Sequence, residues 1–459
     1  MDNTAVPQHQ KTETTMHADT HLVGQAPTSS ADAIYRKVTW RIIPLLFLCY
    51  IAAYLDRINI GFAQMAIRAD LDFSGTAFSF GASVFFIGYL LFEVPSNLYL
   101  ERVGTRKTLA RIMILWGLIS AATMFVRTPG QFYALRFLLG SAEAGFFPGV
   151  VLYLTYWFPP LRRAKIVALF MLPVAFAGFI GAPVSGLIMQ RLDGANGWHG
   201  WQWMFLLEAI PSVLLGAIVL KCLTDRPRDA HRWLAPGEIE QIERDLARSM
   251  VPAASHERGV WHTLLTDWRV YVLFLGYSAL NASVIGIGIW MPQILREASQ
   301  DTSSVFIGML TAIPYAAGGI GMVLFGIGSD HLAERRRFCS GLLTLTGVGF
   351  VLAGMAAHNL PMLLVALSLV LVGNLSGYPV FWALTSQHFR ASTAAVGVAL
   401  VSSIGQLGSF ASPMIINASK NLTGSVAGGL DAIAGLLFVA AVAILLSFRG
   451  PRGRDATAR

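Results

Sequence analysis

The chain has 459 residues, of which 54% are hydrophobic and only 13% charged, with a mean hydropathy of +0.57. Soluble domains carry about 25% charged residues, so this composition excludes a soluble globular protein and points to a polytopic membrane protein. The formal net charge of +8 would suit a nucleic-acid binder, but the basic residues gather in loops on one side of the predicted spans, which excludes that reading.

Residues 1–33 are polar and have no apolar core, which predicts a disordered cytoplasmic tail and not a cleavable signal peptide. Apolar stretches long enough to span a bilayer follow at roughly 42–66, 76–99, 108–126, 131–155, 166–190, 201–223, 270–292, 303–328, 338–357, 361–384, 393–416 and 427–448. They form two sets of six, in segments 34–223 and 268–448, joined by a polar linker at 224–267 and followed by a short cytoplasmic tail at 449–459. The expected fold is therefore all-α, with twelve transmembrane helices in two six-helix bundles. Loops on one side hold Arg36, Lys37, Arg41, Arg102, Arg106, Lys107, Arg111, Arg162, Arg163, Lys165, Arg335, Arg336, Arg337 and Arg390. The opposite loops hold Arg68, Arg127, Arg191, Arg296 and Lys420. This asymmetry places both termini in the cytoplasm, with the lipid bilayer of the inner (plasma) membrane as the surround. Cys49, Cys222 and Cys339 give neither a disulfide framework nor metal-ligand spacing, and no metal or other cofactor is expected.

The first span carries Asp56 and Arg57 side by side, far from either end. A charge at the centre of a spanning helix costs roughly 2.5–3.5 kcal/mol, so such residues face a partner or a watery cavity. In the fourth span, Arg136 and Glu143 are seven residues apart, close to two turns, and share one helix face. With both acids ionised the four groups sum to zero. A bound monoanion leaves the cluster at −1, which is expensive in low dielectric, and one added proton restores neutrality. Charge counting thus favours an organic anion and a proton moving together, with the proton as coupling ion.

In the linker, Pro236 opens an acidic and basic stretch with Glu240 four residues before Arg244, which predicts a surface helix tethering the two bundles. The halves echo each other. Asn97 to Lys107 follows the second span with Glu101, Arg102, Gly104 and Arg106, and Gly326 to Arg337 follows the eighth with Asp330 and Arg335 at matching places. Duplicated bundles of this kind build alternating-access carriers with a site between the halves. Both loops resemble the acid–Arg…Gly–Arg–Lys signature of the major facilitator superfamily, with Asn97 replacing the usual Gly and Glu101 the usual Asp. The resemblance implies the major facilitator fold and a cytoplasmic gate in which Glu101, Arg102, Arg106, Asp330 and Arg335 latch one conformation.

Tyr54 to Ala63 (YLDRINIGFA), Phe86 to Asn97 (FIGYLLFEVPSN), Arg136 to Gly149 and Trp201 to Glu208 are together similar to the anion:cation symporter family within that superfamily. Its bacterial members carry tartrate, phthalate, hydroxyphenylacetate and sugar acids. The resemblance implies uptake of a small organic acid (a dicarboxylate, a sugar acid or an aromatic acid) and proton-coupling acids at Asp56 and Glu143, with Arg136 as switching partner. Arg57 is the candidate for the substrate carboxylate, because a guanidinium binds a carboxylate bidentately and keeps its charge. Tyr54 and Asn59 lie in the same motif as further candidate contacts. Glu93 and Glu208, nearer their span ends, read as structural hydrogen-bonding groups. The second half keeps charge out of the interiors of spans seven to eleven and offers Asn281, Asn374, Ser376, Tyr378, Thr385, Ser386, Ser402, Ser403 and Gln406. Gln406 stands where relatives commonly bind substrate hydroxyls through Asn. Tyr378, Trp382 and Trp290 could stack on an aromatic acid, and Gln387 and His388 distinguish this pocket or its inner gate from those of tartrate carriers.

The runner-up is drug:proton antiport, because Gly178 to Gly186 faintly resembles an antiporter motif, although small residues there are equally explained by close helix packing. A membrane enzyme is disfavoured by the lack of a His or Cys cluster, nucleophile elbow or phosphate loop. The carrier is expected to work as a monomer.

Overall fold

In a computed structural model, the described residues are 29–249, 260–299, 301, 303–331, 334–356, 359–389 and 394–448. The first 28 residues of the expected N-terminal tail, and the 449–459 tail, lie outside them; residues 29–33 belong to the first helix. The helices are α1 (Ser29–Asp70), α2 (Gly75–Val103), α3 (Thr105–Ala122), α4 (Pro129–Glu143), α5 (Phe146–Thr155), α6 (Pro160–Met171), α7 (Pro173–Arg191) and α8 (Gly200–Cys222). They are followed by α9 (Pro236–Ser249), α10 (Val260–Thr266), α11 (Trp268–Ser299), α12 (Ser304–His331), α13 (Arg335–Met355), α14 (Leu360–His388), α15 (Ala394–Thr423) and α16 (Ala427–Ser447). Twelve membrane spans result, with α4–α5 and α6–α7 each forming one. Helices are the expected solution because lipid offers backbone groups no hydrogen-bonding partner. Leu91, Phe92, Phe176, Ile180, Leu214, Val439 and Val442 remain exposed on the outer surface, where hydrocarbon takes the place of water.

The fourth span is not the continuous helix that its apolar run suggests. α4 stops at Glu143, and Gly145 takes a left-handed conformation at φ +88° before α5 begins. That backbone region is open to glycine at no steric cost. A Cβ at Gly145 would also lie 2.5 Å from Ser96 Oγ. The break leaves Glu143 on the last turn of a half-helix.

The linker is more than a tether. Ile239 and Ile242 of α9 are buried, Trp233 stacks on Trp157 with ring centroids 5.5 Å apart, and Lys37 of α1 pairs with Glu238 at 2.7 Å. The exposed Glu240–Arg244 pair is present at 3.8 Å. The linker thus rides on the first bundle.

The two bundles meet along two antiparallel seams and at a third contact, where a Cβ on Gly61 of α1 would lie 2.6 Å from the Gly288 carbonyl of α11. In one, α7 runs against α12, with Gly186 beside Ser304, Ala182 beside Gly308 and Ala175 beside Gly319. A Cβ on Gly186 would sit 2.2 Å from the Ser304 carbonyl, so this approach requires glycine. In the other, α2 runs against α15: Asn417 and Asn421 each donate to Thr76 Oγ1 at one end, and Ser402 and Ser403 meet Glu93 toward the other. Ser303 Oγ donates to Gln190 Oε1 at 2.9 Å on the face remote from the termini. The bundles are therefore closed on that far face, and a cavity lies between them nearer the face that carries the termini.

Candidate functional site

The cavity is lined from the first bundle by Tyr50, Tyr54, Arg57, Phe86, Tyr89, Glu93, Phe147, Met171 and Val174, and from the second chiefly by Tyr277, Asn281, Tyr378, Trp382, Ser402, Gln406 and Ser409. Water centres fit in ≈ 60 Å³ of it, several waters' worth of space. The lining recurs at helical spacing: Tyr50, Tyr54 and Arg57 on α1, Tyr89 and Glu93 on α2, Tyr277 and Asn281 on α11, Tyr378 and Trp382 on α14, Ser402, Gln406 and Ser409 on α15. Residues three or four apart share a helix face, so each helix offers one polar or aromatic stripe to the cavity.

Among the described residues, Arg57 is the only cation lining this cavity. It donates through Nε to Glu143 Oε1 at 2.8 Å, and its Nη2 lies 2.5 Å from the same oxygen. Its guanidinium carbon is 5.5 Å from the ring centroids of Tyr54 and Tyr89 and 5.7 Å from that of Phe85. The rings hold the guanidinium in place and add cation–π attraction, while one fifth of the side chain stays accessible.

The acid-to-base pairing differs from the one read in the fourth span. Arg136 forms no ion pair within 4 Å among the described residues; it packs over Phe85 at 4.9 Å, and its Nε is buried without a partner. Side chains on a helix lean toward its N-terminus, so Arg136, the N-terminal member of the pair, points away from Glu143. Arg57, from another helix, fills the gap.

Asp56 and Arg57 part company as well. Neighbours on a helix lie about 100° apart, and Asp56 turns into the first bundle, where Ser120 of α3 donates to its Oδ1 at 2.7 Å and Asn59 Nδ2 at 3.4 Å. Asp56 Oδ2 and Asn59 Oδ1 have no hydrogen-bond partner among the described residues. Neither residue lines the cavity in this conformation; Asn59, expected as a substrate contact, sits beside Asp56. Glu208 is buried close by; its Oε1 accepts from Ser185 at 2.6 Å, and its Oε2 has no hydrogen-bond partner among the described residues.

In the second bundle, Tyr378 donates to Asn281 Oδ1 at 2.7 Å, Trp382 packs edge-on to Tyr277 with centroids 4.8 Å apart, and Gln406 accepts from Ser409 at 3.2 Å. All of these line the cavity. Asn374 instead donates within the bundle to the Leu280 carbonyl and Ser283, and Trp290 is fully buried away from the cavity. His388 Nε2 lies 2.9 Å from Asp267 Oδ2, at the junction with the linker. Glu93, read from sequence as structural, lines the cavity and is met across the seam by Ser402 and Ser403. Tyr50, Tyr89 and Tyr277 were missed; their spacing from Tyr54, Glu93 and Asn281 was the available signal.

Among the described gate residues no latching ion pair forms in this conformation. Glu101 and Arg102 are exposed and make no ion pair within 4 Å among the described residues. The acid at this loop is Asp225 of the linker, whose Oδ1 accepts from the Arg106 backbone N–H at 2.7 Å at the start of α3. A carboxylate at a helix N-terminus meets free N–H groups and the positive end of the dipole. In the second half, the Asp330 side chain lies outside the described residues, and Arg335 forms no ion pair among them, whereas Arg337 pairs with Glu334 at 2.5 Å.

The sequence matches the family model described as Major Facilitator Superfamily over residues 46–413. It is 43% identical over 416 residues to an Agrobacterium vitis protein named "Putative tartrate transporter", an alignment covering 91% of this chain and 95% of that one. It is also 38% identical over 398 residues to a protein of Acinetobacter baumannii named a quinolone resistance transporter, with 86% and 91% covered. Its fold is similar to that of the crystal structure of a D-xylose-proton symporter, with a TM-score of 0.72 at 15% identity, covering 91% of this chain and 98% of that one. Matched along most of its length, with twelve spans in two bundles around a central cavity, the chain belongs to the Major Facilitator Superfamily and is a secondary membrane transporter, not an enzyme.

Proposed function

We propose that this transporter is a proton-coupled symporter that carries a small organic anion across the inner membrane into the cell. The observation that carries the reading is the Arg57–Glu143 pair at the cavity wall. An arriving carboxylate competes with Glu143 for the one guanidinium. Once Glu143 loses that cation in a dry site, protonation is the cheaper state for it. Anion binding and proton binding then favour each other, which is the thermodynamic content of symport. Asp56, buried on the other side of α1, is the second acid available to a dianion. Gln406, Tyr378, Trp382 and Tyr54 read the body of the substrate. The excess of Arg and Lys on the terminus-bearing face supports cytoplasmic termini, and a complete site within one chain supports a working monomer. The relative named for tartrate supports an organic acid as cargo.

Labelled tartrate and a panel of sugar acids and aromatic acids, offered to vesicles with imposed pH or sodium gradients, test this. Accumulation should follow an inward proton gradient, collapse with a protonophore and persist without sodium; strict sodium dependence at constant pH refutes it. The second reading, drug:proton antiport, is favoured by the relative named for quinolone resistance. It requires the opposite result, substrate expelled as protons enter.

A further inference from the structure

The symport reading leaves one charged group of the cavity without a task. Glu93 lies on α2 one turn beyond Tyr89, whose ring packs 5.5 Å from the Arg57 guanidinium. Glu93 sits about 6 Å of helical rise beyond Tyr89, so the cavity wall carries a cationic group at Arg57 and an anionic one at Glu93. The same cavity is lined by Tyr54, Tyr89, Tyr277, Tyr378 and Trp382. We infer that Glu93 is a specificity-determining residue, and that the cavity is built for an aromatic carboxylate carrying a protonated amine at the end opposite its carboxylate. This rests on the reading of Arg57 as the partner of the carboxylate.

Three features converge on it. Glu93 is 6% exposed, yet its hydrogen-bond partners among the described residues are Ser402 at 3.3 Å and Ser403 at 3.4 Å, longer than an O–H···O bond of about 2.5–3.0 Å. A buried carboxylate held this loosely is poorly compensated, and an ammonium supplies three donors and a full charge. The walls are aromatic faces, which stack on a ring and attract a cation. Finally, Arg57 and Glu143 already sum to zero, so Glu93 is the unbalanced charge, and the ammonium pole of a zwitterion neutralises it.

Binding of 4-(aminomethyl)benzoate and 4-(hydroxymethyl)benzoate to the purified full-length protein, measured by calorimetry alongside tartrate, tests the inference. The two benzoates differ only in ammonium against hydroxyl. The amine should bind about tenfold or more tightly in the unmodified protein, and Glu93→Gln should bring the ratio near one. Arg57→Lys should weaken both ligands. A ratio near one in the unmodified protein, which needs no variant to fold, overturns the inference, as does a ratio preserved in Glu93→Gln. If tartrate binds and neither benzoate does, the aromatic class is wrong while the organic-anion reading stands. If no carboxylate binds, both readings fall together.

Discussion

Arg57 combines three properties that no other side chain supplies together: a permanent charge, two donors in one plane, and a flat face for Tyr54, Tyr89 and Phe85. Arg57→Lys keeps the charge and loses the other two. Losing a charge-assisted pair in a desolvated pocket costs on the order of 2–5 kcal/mol, so substrate affinity should fall roughly 30-fold or more. Equilibrium binding is the readout, because transport rates also contain the conformational step; affinity within about threefold of wild type would make Arg57 structural. Glu143→Gln mimics the protonated acid permanently. It should abolish accumulation against a gradient while sparing exchange of internal for external substrate, and a variant that still accumulates would remove Glu143 from the coupling. These residues were legible because buried charge in an apolar span is conspicuous. Their partners were not: the spacing of Arg136 and Glu143 gives a shared face, but only the arrangement of α1 against α4 decides that Arg57 takes the acid. Asp56 likewise turns away from its sequence neighbour because adjacent residues diverge around a helix.

At the scale of the helix, the spans were legible from hydropathy alone, whereas their interruptions were not. The run from 131 to 155 is apolar throughout, and the break after Glu143 depends on one left-handed glycine packed against Ser96. Gly145→Ala should therefore destabilise the protein by about 1–2 kcal/mol from backbone strain alone, with a further loss from the Ser96 contact. A lowered thermal midpoint in detergent measures it. A midpoint unchanged from wild type would show that α4 and α5 can join without that conformation. The amphipathic pattern of α9 announced a surface helix, but its docking through Ile239, Ile242 and the Lys37–Glu238 pair required the tertiary structure.

At the scale of the molecule, the duplicated loops and the twelve spans made the superfamily legible, and the seams explain how such a molecule moves. α7 on α12 and α2 on α15 pack closely at the far face and α1 meets α11 at Gly61, so opening that face means parting all three contacts as rigid bodies. In a background with Cys222→Ser, Thr76→Cys paired with Asn417→Cys should be joined by a short bis-methanethiosulfonate cross-linker, which forms a disulfide with each thiol, arresting transport until reductant is added. Unimpaired transport in the cross-linked protein would mean that this seam does not part. The gate around Glu101 and Arg106 could not be placed in a conformation from sequence, since a latch is described by two states and the loop reads the same in both.

The most direct test of the Arg57–Glu143 exchange is the proton itself. Purified transporter in weakly buffered proteoliposomes, with the membrane potential clamped, should draw protons from the external medium when a transported organic anion is added outside. The external pH should rise in wild type and stay flat in Glu143→Gln. Substrate entry with no change in external pH, or with acidification of the medium, would contradict the account.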